Sequence, residues 1–561
     1  MVVLTLDRTK TKLAISFPYR QDLVDRIKLF PGRVWKRPFW LLPLNEQQVK
    51  DVEAAFKELD NVAKGQDLLD HLAKRNIENK QVLAWKQQGN SPELTKGTIF
   101  HTTPYEHQKK GLAFCQALEK FGLFMEMGTG KTKIILDLLG NYYKGNINWP
   151  PSLIVCPVSV MENWRLEALK HQPNLKVVVA QGTREQKLKT LRLIETKQAQ
   201  IIVINYESLW RLVSQFALIP WWATVLDEST KIKHRATQQA KAVMKLGQRS
   251  MRRYILTGTP APNNPLELFN QIKFLDPTIF GHSWYVFRDR YAIMGGYGNY
   301  QVLGWKNLPE LTQKLGLISY RVMKKDCLDL PEKVYVEHRI KMTDEQSKVY
   351  KELAEDLVTS IKGVDVVASV VLAKLTKLRQ LTSGFVYKTD KTSIRLDQNP
   401  KLDQLKEILE SITESHKVVI WTSFRDEVEQ ITDLCKSLNL KSIKLDGSVP
   451  GHLRGEVVRN FQEDPNIKIF IGQQHAGGLG ITLTAADYCI FYSNDYSYEI
   501  RAQAEDRLHR IGQKNQVTYI DLIMKGTLDA TIKRMLAQKA NLASSLVPSK
   551  LEELLFDQDE L

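Results

Sequence analysis

Residues 127–132 read MGTGKT, follow an apolar stretch at 122–125, and open a helix-patterned run, KIILDLL. Gly128, Thr129 and Gly130 make a loop whose backbone N–H groups can close on phosphate oxygens, and a helix N-terminus adds favourable partial charge. Lys131 suits the β- and γ-phosphates of a nucleoside triphosphate, and Thr132 suits Mg2+. The glycine usual five places before Gly130 is Met125 here. A glycine-rich turn before an ordinary helix would share these letters, so the loop needs a partner.

That partner is VLDEST. Asp227 and Glu228 end an apolar run, where a strand should stop. Asp227 suits Mg2+, directly or through water. Glu228 suits orientation and deprotonation of an attacking water, because phosphoryl transfer asks for positioning and charge neutralisation rather than covalent help. Upstream, TTPYEHQKKGLAF offers Tyr105 to stack on adenine and Gln108 to read its edge; a helix start with a core tyrosine would look the same. In QAEDRLHRIGQ, residues 503–513, Arg507 and Arg510 stand three apart and are expected on one helical face. Two guanidiniums there suit a terminal phosphate. Salt bridging with Glu505 and Asp506 is the alternative for that segment alone.

These residues need elements to hold them. From about residue 98, short apolar runs (LIVCPV, IIVINY, TVLDES, YILTGT) alternate with amphipathic helix patterns, the mark of a parallel α/β sheet. The alternation resumes after 400 with KVVIWTSF, SIKLDG, IKIFIG, YCIFYS and VTYIDLIM. Between them, 277–335 is rich in aromatic and basic residues and 342–382 reads as long helices. The expected domains are an N-terminal α+β accessory unit at 1–95, a first lobe at 96–276, an aromatic, basic and helical insert at 277–395, a second lobe at 396–545, and an acidic tail at 546–561 that reads as helix. In the first unit, alternating runs predict strands near 2–6 and 12–17. QDLVDRIKLF predicts a helix stopped at Pro31-Gly32, WKRPFWLLPL a short strand, and 46–60 an amphipathic helix.

Composition narrows the classes. Lys plus Arg is 79 against 63 Asp plus Glu, a net +16, in a chain of 561 residues that is 43% hydrophobic. That is globular composition with a surplus suited to a polyanionic partner. No run of about 18 apolar residues predicts a spanning helix, and the N-terminus lacks a secretory layout. Cys115, Cys156, Cys327, Cys435 and Cys489 form no CxxC pair. Buried reduced thiols are therefore expected rather than zinc ligands or disulfides.

Taken in order, YEHQ, MGTGKT, IVCPVSVMENW, INYESL, LDEST, LTGTP, LTKLRQLTSG, WTSF, LDGSV, GGLGITLTAAD and QAEDRLHRIGQ resemble the motifs of the superfamily-two motors. Within these, the chain is most similar to the Swi/Snf-like double-stranded-DNA translocases. The stretch RYAIMGGYGNYQVLGWKNLPEL resembles the annealing-helicase subgroup, and PGRVWKRPFWLLPL resembles its HepA-related accessory domain. The resemblance covers about residues 98–540. It implies two RecA-like lobes, ATP and Mg2+ at the loop, and arginine fingers at Arg507 and Arg510. It also implies a duplex-DNA partner, including forked or branched DNA, without strand separation. It assigns coupling to Thr257, Gly258 and Thr259, and DNA contact to Ser423, Arg425, Gly447 and Gln474. Gly477 and Gly478, in the glycine-rich turn before an expected helix, are assigned backbone contact or coupling. Where many relatives read Asp-Glu-Ala-His, Ser229 and Thr230 replace the last two, which puts the usual coupling in question. A bacterial or viral cytoplasmic setting at the nucleoid is expected, or the nucleus in a eukaryote. The competing readings are a strand-separating DNA or RNA helicase, an inactive DNA-binding scaffold, and the motor subunit of a restriction or repair complex.

Overall fold

The computed structural model describes residues 1–8, 12–30, 32–44, 46–296, 298, 301–362, 368–388, 390, 392–450, 453–475 and 481–546. The chain divides near Cys327 into two compact units. Among the described residues, no helix is long and apolar enough to cross a membrane.

In the first unit, strands β1 (Val2–Leu6), β2 (Lys12–Ser16), β3 (Val34–Lys36), β4 (Phe39–Pro43) and β5 (Val62–Lys64) form one sheet in the order β3-β4-β2-β1-β5. The β1–β5 pair is parallel and the others are antiparallel. The expected strand WKRPFWLLPL is a hairpin, with Trp35 opposite Trp40. Helices Gln21–Lys28 and Glu46–Lys57 turn Leu23, Ile27, Val52 and Phe56 onto the buried Val2, Leu4, Leu13 and Ile15. Helix Gln66–Gln87 then carries the chain onto the larger sheet. Along it, Arg75 pairs at 2.6 Å with Asp276, which is buried. Burial would raise the Asp276 carboxyl, but Arg75 and Lys120 outweigh it and hold it well below the carboxylate range. Near its end, Lys86 donates to the carbonyls of Gly316 and Ser319, and burial pushes its ammonium down to about 7.

The larger sheet contains β6 (Lys120–Met125), β7 (Ser152–Cys156), β8 (Val177–Val179), β9 (Ile201–Asn205), β10 (Ala223–Asp227) and β11 (Arg252–Thr257). An antiparallel hairpin, β12 (Ala292–Gly295) with β13 (Gln301–Trp305), lies in the expected insert. β14 (Ser319–Val322), also from 277–395, completes the sheet beside β6 in the order β14-β6-β11-β10-β7-β9-β8. Every pairing in it is parallel. Its central strands are buried throughout because helices cover both faces, which is why they read as unbroken apolar runs.

In the second unit, β15 (Lys333–Ile340), a small hairpin β16 (Phe385–Tyr387) and β17 (Ser393–Arg395), β18 (Val418–Thr422), β19 (Ser442–Leu445), β20 (Ile469–Gln473), β21 (Tyr488–Phe491) and β22 (Val517–Met524) follow. All but the hairpin make a parallel sheet in the order β15-β22-β21-β18-β20-β19. The 277–395 stretch therefore gives one edge strand to each large sheet. Its long helices are Asp344–Lys362 and Ala368–Thr382. The expected helical tail beyond 546 lies outside the described residues.

A buried ion network secures this second sheet. Arg501 pairs with Asp521 and, at 2.8 Å, with Glu505, and its guanidinium lies 3.3 Å from the centre of the Phe491 ring. Burial opposes ionisation of both acids. Arg501 and Lys533 nevertheless hold Asp521 at about 2, and Lys333 and Arg501 hold Glu505 at about 2. A carboxyl lowered by folding contributes stability above its unfolded pKa of ~4 and loses it as pH falls towards about 2. Asp521→Asn is therefore expected to flatten the acid limb of a stability–pH curve between about pH 4 and about pH 2. At neutral pH it should cost about 3 kcal/mol in urea unfolding, since Arg501 keeps its charge without that partner.

Candidate nucleotide site

The phosphate loop sits where β6 ends and helix Lys131–Tyr143 begins. Gly128 and Gly130 both take left-handed φ, +81° and +91°, which favours glycine. A Cβ at Gly130 would overlap the side-chain amide of Gln108. Gln108 is thus packed against the loop, where the sequence offers it only as a reader of a base edge. Its Oε1 accepts the Tyr105 N–H at 3.1 Å, and the half-exposed Tyr105 ring stacks on His107 at 5.7 Å. Thr129 is buried and Thr132 half-buried. Lys131 donates to the Met125 carbonyl at 2.8 Å and the Glu126 carbonyl at 3.3 Å. Met125 still belongs to β6 and its side chain is in the core, so no glycine is required there.

Asp227 ends β10, two strands from β6 and with β11 between them. Burial raises its carboxyl, opposed by Lys131, then by the Trp164 indole, then by the Glu228 N–H. Trp164 Nε1 donates to Oδ2 at 2.9 Å, Glu228 N–H donates to Oδ1 at 3.0 Å, and the Tyr206 hydroxyl donates to the Asp227 carbonyl at 2.8 Å. Glu228 itself has φ +51°, a left-handed setting that is costly for a residue with a Cβ. It starts the short turn Ser229–Ile232. Ser229, where the resembled motif has alanine, donates to Gln271 Oε1 at 2.7 Å, and Gln271 donates on to the Pro260 carbonyl at 2.6 Å. Thr230 is buried in the same turn. The oxygen donors of Asp227 and Thr132 fit Mg2+, which commonly takes one or two protein oxygens and completes its shell with phosphates and water.

Thr257 closes β11 and accepts the Thr259 N–H at 3.2 Å; the Gly258 carbonyl accepts from Arg321 at 3.4 Å. Lys131, Thr132, Asp227, Glu228 and the 257–259 turn all belong to the first unit.

In the second unit the helix runs Tyr498–Glu505 and stops. Arg507 and Arg510 therefore lie on a turn, not on the helical face that their spacing suggests. The reason is non-local. The Arg507 carbonyl accepts the Leu483 N–H at 2.9 Å, and Gln513 donates to the carbonyls of Ala486, Thr484 and Leu508. Those bonds draw the segment off the helical path. Arg507 is buried, and Arg510 donates to the Ile481 carbonyl at 3.4 Å.

Ser423 accepts from Arg379 at 3.0 Å. Arg425 is exposed beside Glu429, and Gly447 is exposed with open space around it. Gln474 is buried, donating to the Ser493 carbonyl at 2.6 Å and accepting from the Asp495 N–H at 3.2 Å, so its side chain braces that loop. Gly477 and Gly478 lie outside the described residues. Residues 481–487, where a helix start is expected from sequence, are not helical, because their backbone serves the Arg507 turn instead. Sequence reasoning missed Trp164 and Tyr206 as site residues, although both stand in quoted motifs. Tyr206 follows a buried strand directly, a local signal, whereas Trp164 lies within the helix after its strand and has none.

Gly130→Ala is expected to weaken binding of a fluorescent ATP analogue about tenfold or more, since it adds left-handed backbone strain and displaces Gln108. The strain alone should also lower the melting temperature without nucleotide by a few degrees; binding measured well below that temperature checks the loss at the loop.

Residues 107–387 match the SNF2-related domain and residues 400–512 match the helicase conserved C-terminal domain. An uncharacterized ATP-dependent helicase of Mycoplasma genitalium is 26% identical over 492 residues, covering 87% of this chain and 46% of that protein. The putative ATP-dependent helicase/translocase YwqA of Bacillus subtilis is 27% identical over 475 residues, covering 82% of this chain and 50% of its own. The ISWI chromatin-remodeling complex ATPase ISW2 of Saccharomyces cerevisiae is 28% identical over 434 residues, covering 74% of this chain and 38% of its own. The chain thus spans half or less of the length of these curated relatives. With a SNF2-related domain across half of its residues and a helicase C-terminal domain behind it, the chain belongs to the SNF2-related family.

Proposed function

We propose that this chain is a DNA-dependent ATPase that moves along double-stranded DNA and remodels DNA or protein–DNA complexes without separating strands. The observation that carries the reading is the placement of Lys131, Asp227 and Glu228 just beyond the ends of β6 and β10, strands of one parallel sheet separated only by β11. The DNA half of the reading draws on the names of the relatives, a helicase/translocase and a chromatin-remodeling ATPase, and on the net charge of +16.

Gly128, Thr129 and Gly130 hold the phosphates through backbone N–H groups, Lys131 neutralises the β- and γ-phosphates, and Tyr105 stacks on the adenine. Thr132 and Asp227 hold Mg2+, which supplies neutralisation of phosphate charge. Glu228 accepts a proton from water as the water oxygen bonds to the γ-phosphorus and the bond to the β,γ-bridging oxygen breaks. ADP and phosphate leave. Arg507 and Arg510 stabilise charge on the transferred group. Thr257, Gly258 and Thr259 couple hydrolysis to DNA.

Ser423, Arg425 and Gly447 contact the DNA backbone, and Gln474 supports them by bracing its loop. Such contacts are to phosphate, so affinity should fall with salt and vary little with sequence. This chain's duplex substrates include forked or branched DNA, residues 1–95 tune substrate choice, and it acts at the nucleoid of a bacterial or viral system or in a nucleus.

Steady-state ATPase is expected to rise with duplex DNA far more than with single strands or RNA. Triplex displacement should proceed without duplex unwinding; efficient unwinding of a blunt duplex would overturn the translocase reading. Glu228→Gln should retain ATP binding while turnover falls about 10²–10⁴-fold, as expected for loss of a general base. Arg507→Ala and Arg510→Ala should lower turnover more than nucleotide affinity, because their contribution lies in the transition state.

A further inference from the structure

We propose that Trp164 is a positioning residue for the metal-binding carboxylate: its indole N–H holds Asp227 in the one orientation that keeps its free lone pairs available to Mg2+. The inference rests on the reading of Asp227 as the Mg2+ ligand.

Trp164 lies in helix Met161–His171, which follows β7, the strand beside β10. The ring is buried. An indole has a single donor and no acceptor, so a buried one needs an oxygen to receive its N–H. It meets Asp227 Oδ2 at 2.9 Å. The other carboxylate oxygen receives the Glu228 N–H at 3.0 Å. The carboxylate torsion of an aspartate is otherwise broad and roughly two-fold. Donors on both oxygens, one from a helix and one from the following backbone, remove that freedom. About four lone-pair positions are available on an ionised carboxylate. Two are taken by these N–H groups, and the others remain for a cation or its water. Tyr206, which follows β9 on the far side of β7, holds the main chain of the same residue through its carbonyl at 2.8 Å. The arrangement is that of an outer group orienting a ligand, whose removal ordinarily lowers metal affinity rather than destroying the fold.

The test is binding of a fluorescent ADP analogue to the full chain, in EDTA and across a Mg2+ titration. Trp164→Phe keeps an aromatic ring and deletes the donor. Its affinity in EDTA should stay within about twofold of the parent, while the Mg2+ concentration for half-maximal effect rises about tenfold. An unchanged Mg2+ midpoint, or equal losses with and without metal, overturns the inference while leaving the nucleotide reading intact. A parent whose nucleotide affinity ignores Mg2+ overturns the metal reading and this inference with it. If Trp164→Phe does not fold, 15N-indole spectra of the parent and of Asp227→Asn decide the matter. One indole signal should move both with Mg2+ and ADP and with the Asp227 substitution; the absence of any shared signal overturns the proposal.

Discussion

A carboxylate withdrawn from water at the end of a buried strand must be compensated by its neighbours or it will not stay charged. Asp227 is that group in the first unit. Its compensation comes from separate stretches of chain: Lys131 at the start of a helix, Trp164 from another helix, and the Glu228 N–H beside it. Each reaches Asp227 only because the parallel strands that precede them end at the same edge of one sheet. The order β6-β11-β10-β7-β9 is thus more than a topology. It sets which side chains can meet this carboxylate.

The second unit obeys the same electrostatic rule with a different cast. Arg501 is surrounded by Asp521, Glu505 and the face of Phe491, and Lys533 and Lys333 balance the acids. This network anchors the helix Tyr498–Glu505 immediately before the turn that bears Arg507 and Arg510. Gln513 fastens the other end of that turn to backbone carbonyls. The two arginines are thereby presented from a fixed frame rather than from a continuous helix.

Within the first unit, the five-stranded N-terminal sheet and the helix that follows it are joined to the first large sheet by charge as well as by packing. Arg75 meets Asp276, and Lys86 reaches carbonyls at the end of helix Leu308–Ile318, where the helix dipole favours a cation. Neither contact has a local sequence signature. Each partner lies some two hundred residues from the other.

Much of the nucleotide site is legible in the sequence because its signals are local. MGTGKT requires left-handed glycines after a strand and before a helix, and Gly128 and Gly130 have them. LDEST ends an unbroken apolar run, and that run is a central strand buried on both faces. The edge strands Ser319–Val322 and Lys333–Ile340 read as part of an insert because both carry polar or charged residues and lack the continuous apolar pattern of their neighbours; Lys333–Ile340 largely alternates in exposure, and Ser319–Val322 is only four residues long. Arg507 and Arg510 read as helical because their spacing is helical, whereas the helix end is decided by Leu483 and Gln513. Local sequence therefore determined the central strands of both large sheets, the phosphate loop and the acidic strand end, since these depend on backbone preference and burial over a few residues. Only the tertiary structure decided which aromatic meets Asp227, where the arginine-bearing helix stops and how Ser229 reaches Pro260 through Gln271, because those contacts depend on strand order and on hydrogen bonds between distant segments.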